Sequence, residues 1–107
     1  MQNLTAPELA ALIADASRPT PLLLDVREQH EYDICHIDSV QLMPMNSIPD
    51  RLAELDPDTP IVCICHHGSR SMQVAHFLER NGFTQVTNLT GGIHAWATQV
   101  DASMPTY

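Results

Sequence analysis

The stretch PIVCICHHGSRSMQVAHFLERNG, residues 60–82, decides the fold. It opens with an unbroken apolar run, which is typical of a strand buried on both faces in a parallel sheet. Its second half has the spacing of a helix that ends at Gly82, with the inward residues Val74, Ala75, Phe77 and Leu78. Between the two lies the loop CHHGSRS, residues 65–71. A buried strand, a polar loop and a helix in this order predict an α/β domain.

The rest of the chain continues the alternation of strands and helices. A capping box, Thr5 with Glu8, begins a helix near the start of the chain. Further strands are predicted over 21–26, 39–43 and 84–89, and further helices over 28–34, 47–55 and 90–100. No repeat or linker divides the sequence. We therefore expect residues 1–107 to form a single three-layer domain with a mainly parallel sheet.

The composition excludes several classes of function. The chain has 13 acidic and 5 basic residues, a formal charge of −8, and every basic residue is arginine. Binding to nucleic acid or to an anionic membrane needs a cluster of cations, so neither partner is expected. The first residues do not resemble a signal peptide, and no apolar run is long enough to span a membrane. The odd number of cysteines, 3, argues against a disulfide framework and favours the reducing cytoplasm.

The loop 65–71 has the composition of an anion-binding site around a reactive thiol. It lies at the carboxyl end of a strand, where open α/β sheets bind ligands. Backbone N–H groups of a Gly/Ser-rich turn can converge there, and the helix dipole adds positive potential. A helix N-terminus and a nearby arginine, here Arg70, favour thiolate, and Gly68 allows a backbone conformation closed to other residues. The pattern predicts that Cys65 is an activated nucleophile.

Simpler interpretations of the cysteines stand beside this one. A cysteine at a strand end is often a small core residue, and Cys65 taken alone would be read that way. Cys63, two residues earlier on the same strand, is expected to be buried and inert. A metal site built from Cys63, Cys65, His66 and His67 matches no standard zinc spacing, so neither a metal nor another cofactor is expected.

Three segments together resemble a single-domain rhodanese, a family of sulfurtransferases. They are LLLDVREQHEYDICHI (22–37), IVCICHHGSRS (61–71) and NLTGGIHAW (88–96), and their order and spacing agree with the family. The resemblance implies a central sheet of about five strands flanked by helices. It also implies that Cys65 takes a sulfane sulfur from a donor, forms a persulfide and passes the sulfur to a nucleophilic acceptor. The terminal sulfur of the persulfide would then be bound by the cradle of residues His66, His67, Gly68, Ser69, Arg70 and Ser71.

The resemblance also assigns supporting roles near the loop. Asp25 either orders the active loop or caps the end of its strand. Arg27 and Glu31, spaced i,i+4, are expected to form a structural ion pair. Trp96 is expected in the core or as a lid, and His36, His76 and His94 as ordinary surface or core residues.

The sequence departs from the family pattern in two places. Where many members have Gly-His-Ile-Pro-Gly-Ala, this chain has Cys-His-Ile-Asp-Ser-Val at 35–40, so the geometry of that turn is in doubt and Cys35 adds a thiol. We expect Cys35 to be semi-buried and structural, with a redox role beside Cys65 as the alternative. In addition, the loop offers His66 and His67 where thiosulfate-binding loops tend to offer a permanent cation. Thiosulfate could therefore be a surrogate donor.

Two other functions compete with sulfur transfer. Cysteine-dependent phosphatases and arsenate reductases also cradle a thiolate, but phosphatases space it Cys-x5-Arg, whereas Cys65 and Arg70 are spaced Cys-x4-Arg. A tighter ring suits one sulfur better than a tetrahedral oxyanion. A non-catalytic rhodanese-fold binding module would typically have lost the cysteine. The expected partners are a small sulfur donor and an acceptor, with a thiol protein such as thioredoxin among the candidates, and the expected state is a monomer or weak dimer.

Overall fold

The apolar run after Pro60 forms the central strand of a five-stranded sheet in the computed structural model, which describes residues 1–107. The strands are β1 (Gln2–Leu4), β2 (Leu22–Asp25), β3 (Gln41–Leu42), β4 (Ile61–Ile64) and β5 (Val86–Leu89). Their order across the sheet is β1-β5-β4-β2-β3, and every neighbouring pair is parallel. The predicted α/β class and the parallel sheet are confirmed.

Five α-helices complete the architecture: α1 (Ala6–Ala14), α2 (Gln29–Ile34), α3 (Ile48–Arg51), α4 (Ser69–Arg80) and α5 (Gly92–Gln99). Two buried apolar clusters, one on each face of the sheet, show the three layers. Cys63 of β4 packs in the cluster that contains α3 and α4, whereas its neighbour Val62 packs with α1 and α5. Successive strand residues point to opposite faces. This alternation explains why β4 has no polar residue.

Several element boundaries differ from the prediction. Strand β1 was not predicted, because its sequence Gln-Asn-Leu is short and polar and it pairs only with β5 at the sheet edge. The helix expected over 47–55 is broken into α3 between two short 3₁₀ turns, Met45–Ser47 and Leu52–Glu54. Strand β3 keeps only two residues of the expected five. Sequence patterns place element ends poorly, since local propensity is weak there.

The turn at 35–40 has Cys35 and Ser39 at the positions of the two glycines in the family pattern. Cys35 has an extended backbone with φ −165° as the C-cap of α2, so a side chain costs nothing at this position. Ser39, in contrast, has φ +67° and is the one residue other than glycine with a positive φ. A side chain in that region is strained by about 1 kcal/mol. Only the second missing glycine is therefore costly.

The chain topology places the loop 65–71 at a switch point of the sheet. The chain leaves β2 toward β3 on one side, and it leaves β4 toward β5 on the other. The carboxyl ends of β2 and β4 thus border a crevice, the usual ligand site of an open α/β sheet. No helix of the structure is both long and apolar enough to cross a membrane.

Candidate active site

Cys65 lies directly after β4 with its side chain enclosed by the loop that follows. The residue is only 1% exposed. Its Sγ accepts a hydrogen bond from the backbone N–H of Gly68 at 3.0 Å and lies 3.3 Å from the Ser71 hydroxyl. Gly68 has φ +105°, a conformation that other residues rarely adopt, and its place as the N-cap of α4 fixes the start of that helix. The Gly68 N–H can stabilise negative charge on the sulfur.

The loop offers further donors that nothing in the protein uses. The backbone N–H groups of five loop residues donate to no other protein group: His66, His67, Ser69, Arg70 and Ser71. Three of these N–H groups belong to the first turn of α4, where helix geometry leaves them without a partner. The positive end of the helix dipole lies at the same point. The arrangement can therefore stabilise an anionic group attached to Cys65.

The first turn of α5 holds the carbonyl groups of the loop. The N–H of Ile93 donates to the carbonyl of Cys65 at 2.8 Å, and that of His94 donates to the carbonyl of His66 at 3.1 Å. Gly92, with φ +60°, lies so close that an added Cβ would overlap both carbonyl oxygens. This close approach explains the glycine at the first position of α5. The loop is thus built on two helix N-termini, one that faces it and one that follows it.

Asn88 fixes the loop from the neighbouring strand β5. Its amide nitrogen donates to the carbonyl of Gly68 at 3.3 Å, and its side-chain oxygen accepts a hydrogen bond from the Ser71 hydroxyl. Asn88 is 1% exposed. One side chain therefore positions both residues that contact the sulfur of Cys65. Sequence reasoning did not find Asn88, although an asparagine inside an apolar strand was the available signal.

Arg70, the charge near the thiol, is bound by a carboxylate. Its two terminal nitrogens donate to the two carboxylate oxygens of Glu31, each at 2.8 Å. The Arg70 hydrogen bonds, against an opposing contribution from burial, hold the pKa of Glu31 at about 2. The same bonds raise the pKa of Arg70, and Cys65 adds a smaller contribution. A bidentate pair of this kind fixes the end of the loop to α2.

The prediction of an ion pair between Arg27 and Glu31 is wrong. Arg27 precedes α2, so helical i,i+4 spacing does not apply, and its guanidinium donates to the backbone carbonyl of Glu31 instead. Its charge is matched by Asp25, whose carboxylate accepts three side-chain hydrogen bonds of 2.7–3.2 Å from Arg27. Burial lowers the pKa of Arg27, but the hydrogen bonds that it donates to Asp25 and Tyr107 outweigh this effect and raise the pKa. Asp25 makes no hydrogen bond to the loop 65–71, and its carboxylate accepts the Arg27 N–H just beyond β2.

Aromatic rings cover the other side of the loop. Tyr107 stacks on His66 with the two ring centroids 3.8 Å apart. The ring centroids of His66 and His67 are 4.0 Å apart. The Tyr107 hydroxyl accepts a hydrogen bond from Arg27 at 2.9 Å and donates to Glu31 at 3.2 Å. Burial, and next the neighbouring His67, lower the pKa of His66. The contacts of Tyr107 were not foreseen, since nothing in a terminal Pro-Thr-Tyr marks it for the site.

The other two cysteines differ in their surroundings. Cys63 is fully buried, as predicted, and this burial, with a smaller effect of Cys65, raises the pKa of its thiol to about 12 and disfavours the thiolate. Cys35 is 8% exposed, more buried than the semi-buried state expected for it. Its backbone carbonyl accepts a hydrogen bond from Arg27 at 2.7 Å. All three thiols are free, and no cluster of side chains is arranged to hold a metal ion.

The remaining histidines and Trp96 behave as expected. Trp96 is 9% exposed within the cluster of α1 and α5, as a core residue. His36 stacks on Tyr32, and His76 is a surface residue next to Glu79. His94 is exposed, with its ring 5.1 Å from that of His67.

A cavity of about 780 Å³ adjoins the loop and gives it a route to solvent. Only one of its ten lining residues is hydrophobic, and the lining includes His67, Gly68 and Ser69 of the loop and Asn88 and Thr90 from β5 and the turn after it. Because Cys65 itself is enclosed, a substrate that enters here would meet the loop before the sulfur. A small movement of the loop would then be needed for attack.

Comparison with known proteins identifies the family of this site. The model of the rhodanese-like domain matches residues 5–99. A thiosulfate sulfurtransferase, GlpE of Stutzerimonas stutzeri, is 32% identical over 90 residues, which cover 84% of this chain and 80% of the relative. The crystal structure of a rhodanese-like domain protein from Staphylococcus aureus has a TM-score of 0.85 and 31% identity, and the match covers 100% of this chain and 99% of that one.

Some relatives are much longer than this chain. A rhodanese-like/PpiC domain-containing chloroplast protein of Arabidopsis thaliana is 40% identical over 89 residues. These residues are 79% of this chain but only 30% of that protein. The shared part is thus the domain that carries the loop 65–71.

Proposed function

The chain belongs to the rhodanese-like domain family, and on that basis we propose that it is a sulfurtransferase that carries a sulfane sulfur on Cys65. The observation that carries the proposal is the loop around this residue. A thiol with two hydrogen-bond partners lies among five unused backbone N–H groups at a helix N-terminus. Such a cradle fits one anionic sulfur beyond Sγ.

The reaction takes place in two displacements. The thiolate of Cys65 attacks the outer sulfur of a donor such as thiosulfate, the donor's S–S bond breaks, and sulfite leaves with the bonding electrons. The negative charge then lies on the terminal sulfur of the persulfide, where the five free N–H groups of the loop stabilise it. A nucleophile such as cyanide or a thiolate attacks that sulfur, and the thiolate of Cys65 leaves unchanged.

The position of Arg70 supports sulfur transfer over phosphatase or arsenate chemistry. A phosphoryl group needs a guanidinium fork for two of its oxygens. In this chain both terminal nitrogens of Arg70 are bound to Glu31. The presence of Cys65 argues against a non-catalytic module.

The acceptor and the compartment follow from the same chemistry. A small thiol or a thiol protein of the thioredoxin kind would take the sulfur from Cys65 through the cavity beside the loop. Three free cysteines suit a reducing compartment, so we propose that the protein acts in the cytoplasm. We further propose that it acts as one domain, as a monomer or weak dimer, and without a cofactor.

Steady-state rates test this function against its main competitor. The wild-type protein should convert thiosulfate and cyanide to thiocyanate and should show negligible hydrolysis of a small aryl phosphate. Insertion of one glycine between Gly68 and Ser69 should lower sulfur transfer by about tenfold or more, because catalysis depends steeply on ~1 Å displacements. Faster cleavage of the phosphate ester than transfer of sulfur would overturn the proposal.

A further inference from the structure

The permanent positive charge beside Cys65 is already neutralised. Arg70 follows Cys65 by five residues, and Glu31 binds both of its terminal nitrogens at 2.8 Å. Glu31 is 8% exposed, whereas solvent reaches part of the Arg70 side chain, so the pair is partly buried. The pKa of Glu31 is lowered to about 2, chiefly by the Arg70 hydrogen bonds, so its carboxylate stays charged at neutral pH. The pair presents no net charge to a ligand.

The other four arginines do not provide a free positive charge at the site. Arg27 is fully buried and bound to Asp25, and Arg18 and Arg51 form surface pairs with Asp15 and Glu54. Arg80 lies at the other end of α4, roughly 16 Å along the helix from the loop. The chain has no lysine. No free permanent cation therefore lies at the site.

The imidazole rings around the loop are not permanent cations either. His66 is stacked between Tyr107 and His67, and His94 lies beside His67. Imidazole is mostly neutral at pH 7, and burial lowers the pKa of His66 further. Backbone N–H dipoles are thus the main attraction for an anion, within a chain of formal charge −8. Long-range repulsion grows with the charge of the donor.

We propose that the site prefers monoanionic or uncharged sulfane donors to dianionic ones, and that Glu31 sets this preference because it neutralises Arg70. The inference rests on the proposed sulfur transfer to Cys65 and names its class of donor. Glu31 acts as a positioning residue, since it touches Arg70 and the N–H of Glu28. A thiol persulfide or a thiosulfonate belongs to the preferred class, and thiosulfate, with two negative charges, does not.

The effect of donor charge can be measured with two donors that differ in charge but react at the same kind of bond. Methanethiosulfonate carries one negative charge, and thiosulfate carries two. In both, the Cys65 thiolate attacks the outer sulfur and the S–S bond breaks, and methanesulfinate or sulfite leaves with the electron pair. The ratio of kcat/KM for thiosulfate to that for methanethiosulfonate therefore reports the field at the site.

The variant Glu31→Gln tests the inference directly. It removes the negative partner of Arg70, so the ratio should rise by about tenfold, as expected for one uncompensated charge close to the donor. Glu54→Gln is the matched control, because Glu54 also binds an arginine, Arg51, with two hydrogen bonds at 2.9 Å and 3.0 Å but on the surface away from the loop. The control should leave the ratio unchanged. An unchanged ratio in folded Glu31→Gln would overturn the inference.

Salt dependence of the wild-type protein gives a second test that needs no variant to fold. If the site lacks a free cation, added salt should raise kcat/KM for thiosulfate, and by more than for methanethiosulfonate, because it screens the repulsion. A fall with salt would show a net positive site and contradict the inference. A different result would contradict the proposed function itself, namely that neither donor leaves sulfur on Cys65.

Discussion

At the scale of single residues, the site depends on a polar side chain buried in a strand. Asn88 of β5 contacts the carbonyl of Gly68 and the hydroxyl of Ser71, the two residues whose groups contact the sulfur of Cys65. Asn88 is 1% exposed, so both of its hydrogen bonds lie inside the protein. Its role is to hold the loop in one conformation.

We expect Asn88→Ala to lower both stability and sulfur loading. Two buried partners lose a hydrogen bond, which costs about 1–3 kcal/mol, measured by urea unfolding. The released loop should load Cys65 about tenfold more slowly, measured by single-turnover thiosulfate consumption on folded protein. Asn81→Ala removes an exposed hydrogen bond at the end of α4 and is the control, with loading unchanged. Normal loading in Asn88→Ala would show that the loop does not need this clamp.

At the scale of elements, α5 determines where the carbonyl groups of the loop lie. The N–H groups of Ile93 and His94 bind the carbonyls of Cys65 and His66, and Gly92 leaves room for both. These two hydrogen bonds hold the loop in the conformation in which five of its N–H groups have no partner in the protein. The cradle thus needs α5 as well as α4.

The variant Gly92→Ala should displace the loop. Its methyl group would overlap the carbonyl oxygens of Cys65 and His66, and φ +60° adds backbone strain. Gly82→Ala is the matched control, since Gly82 has φ +88° but no atom within 4 Å of an added Cβ. The control should lose about 1 kcal/mol in free energy of unfolding and keep its activity. Gly92→Ala should lose more stability and most of its sulfur transfer, and equal effects of the two changes would argue against the contact.

At the scale of the whole molecule, one ion pair joins α2 to the start of α4 across the site. Glu31 has its pKa lowered from 4.5 to about 2, so its pairing stabilises the folded state above pH 4.5 and is lost as pH falls toward 2. The corresponding contribution is about 3 kcal/mol as an upper figure, because solvent reaches part of Arg70.

Urea unfolding across this pH range checks the linkage. The wild-type protein should exceed Glu31→Gln in free energy of unfolding at pH 7, and the difference should shrink below pH 4.5 and nearly vanish at pH 2. Glu54→Gln should show a small difference throughout, because its pair is exposed. A difference that stays constant from pH 7 to pH 2 would rule out this account of Glu31.

The sequence predicted the α/β layers, the parallel sheet and the loop because apolar runs and helical spacing are local signals. The buried β4 and the capping box of α1 are of this kind. It could not predict long-range pairing: Glu31 lies 39 residues from Arg70, and Asn88 lies 17 from Ser71. Strand β1 was missed for the same reason, since only β5 makes it a strand. Tyr107 lies 80 residues from Arg27, so no local sequence pattern could predict the hydrogen bond between them.

The central claim, a persulfide on Cys65, is tested most directly by intact-mass measurement after incubation with thiosulfate or methanethiosulfonate. The wild-type protein and Cys63→Ser should each gain the mass of one sulfur atom, and cyanide should remove it with release of thiocyanate. Cys65→Ser should gain nothing, because Cys63 is buried with its pKa raised to about 12. A stable gain of sulfur by folded Cys65→Ser, or none by the wild type with either donor, would contradict the account.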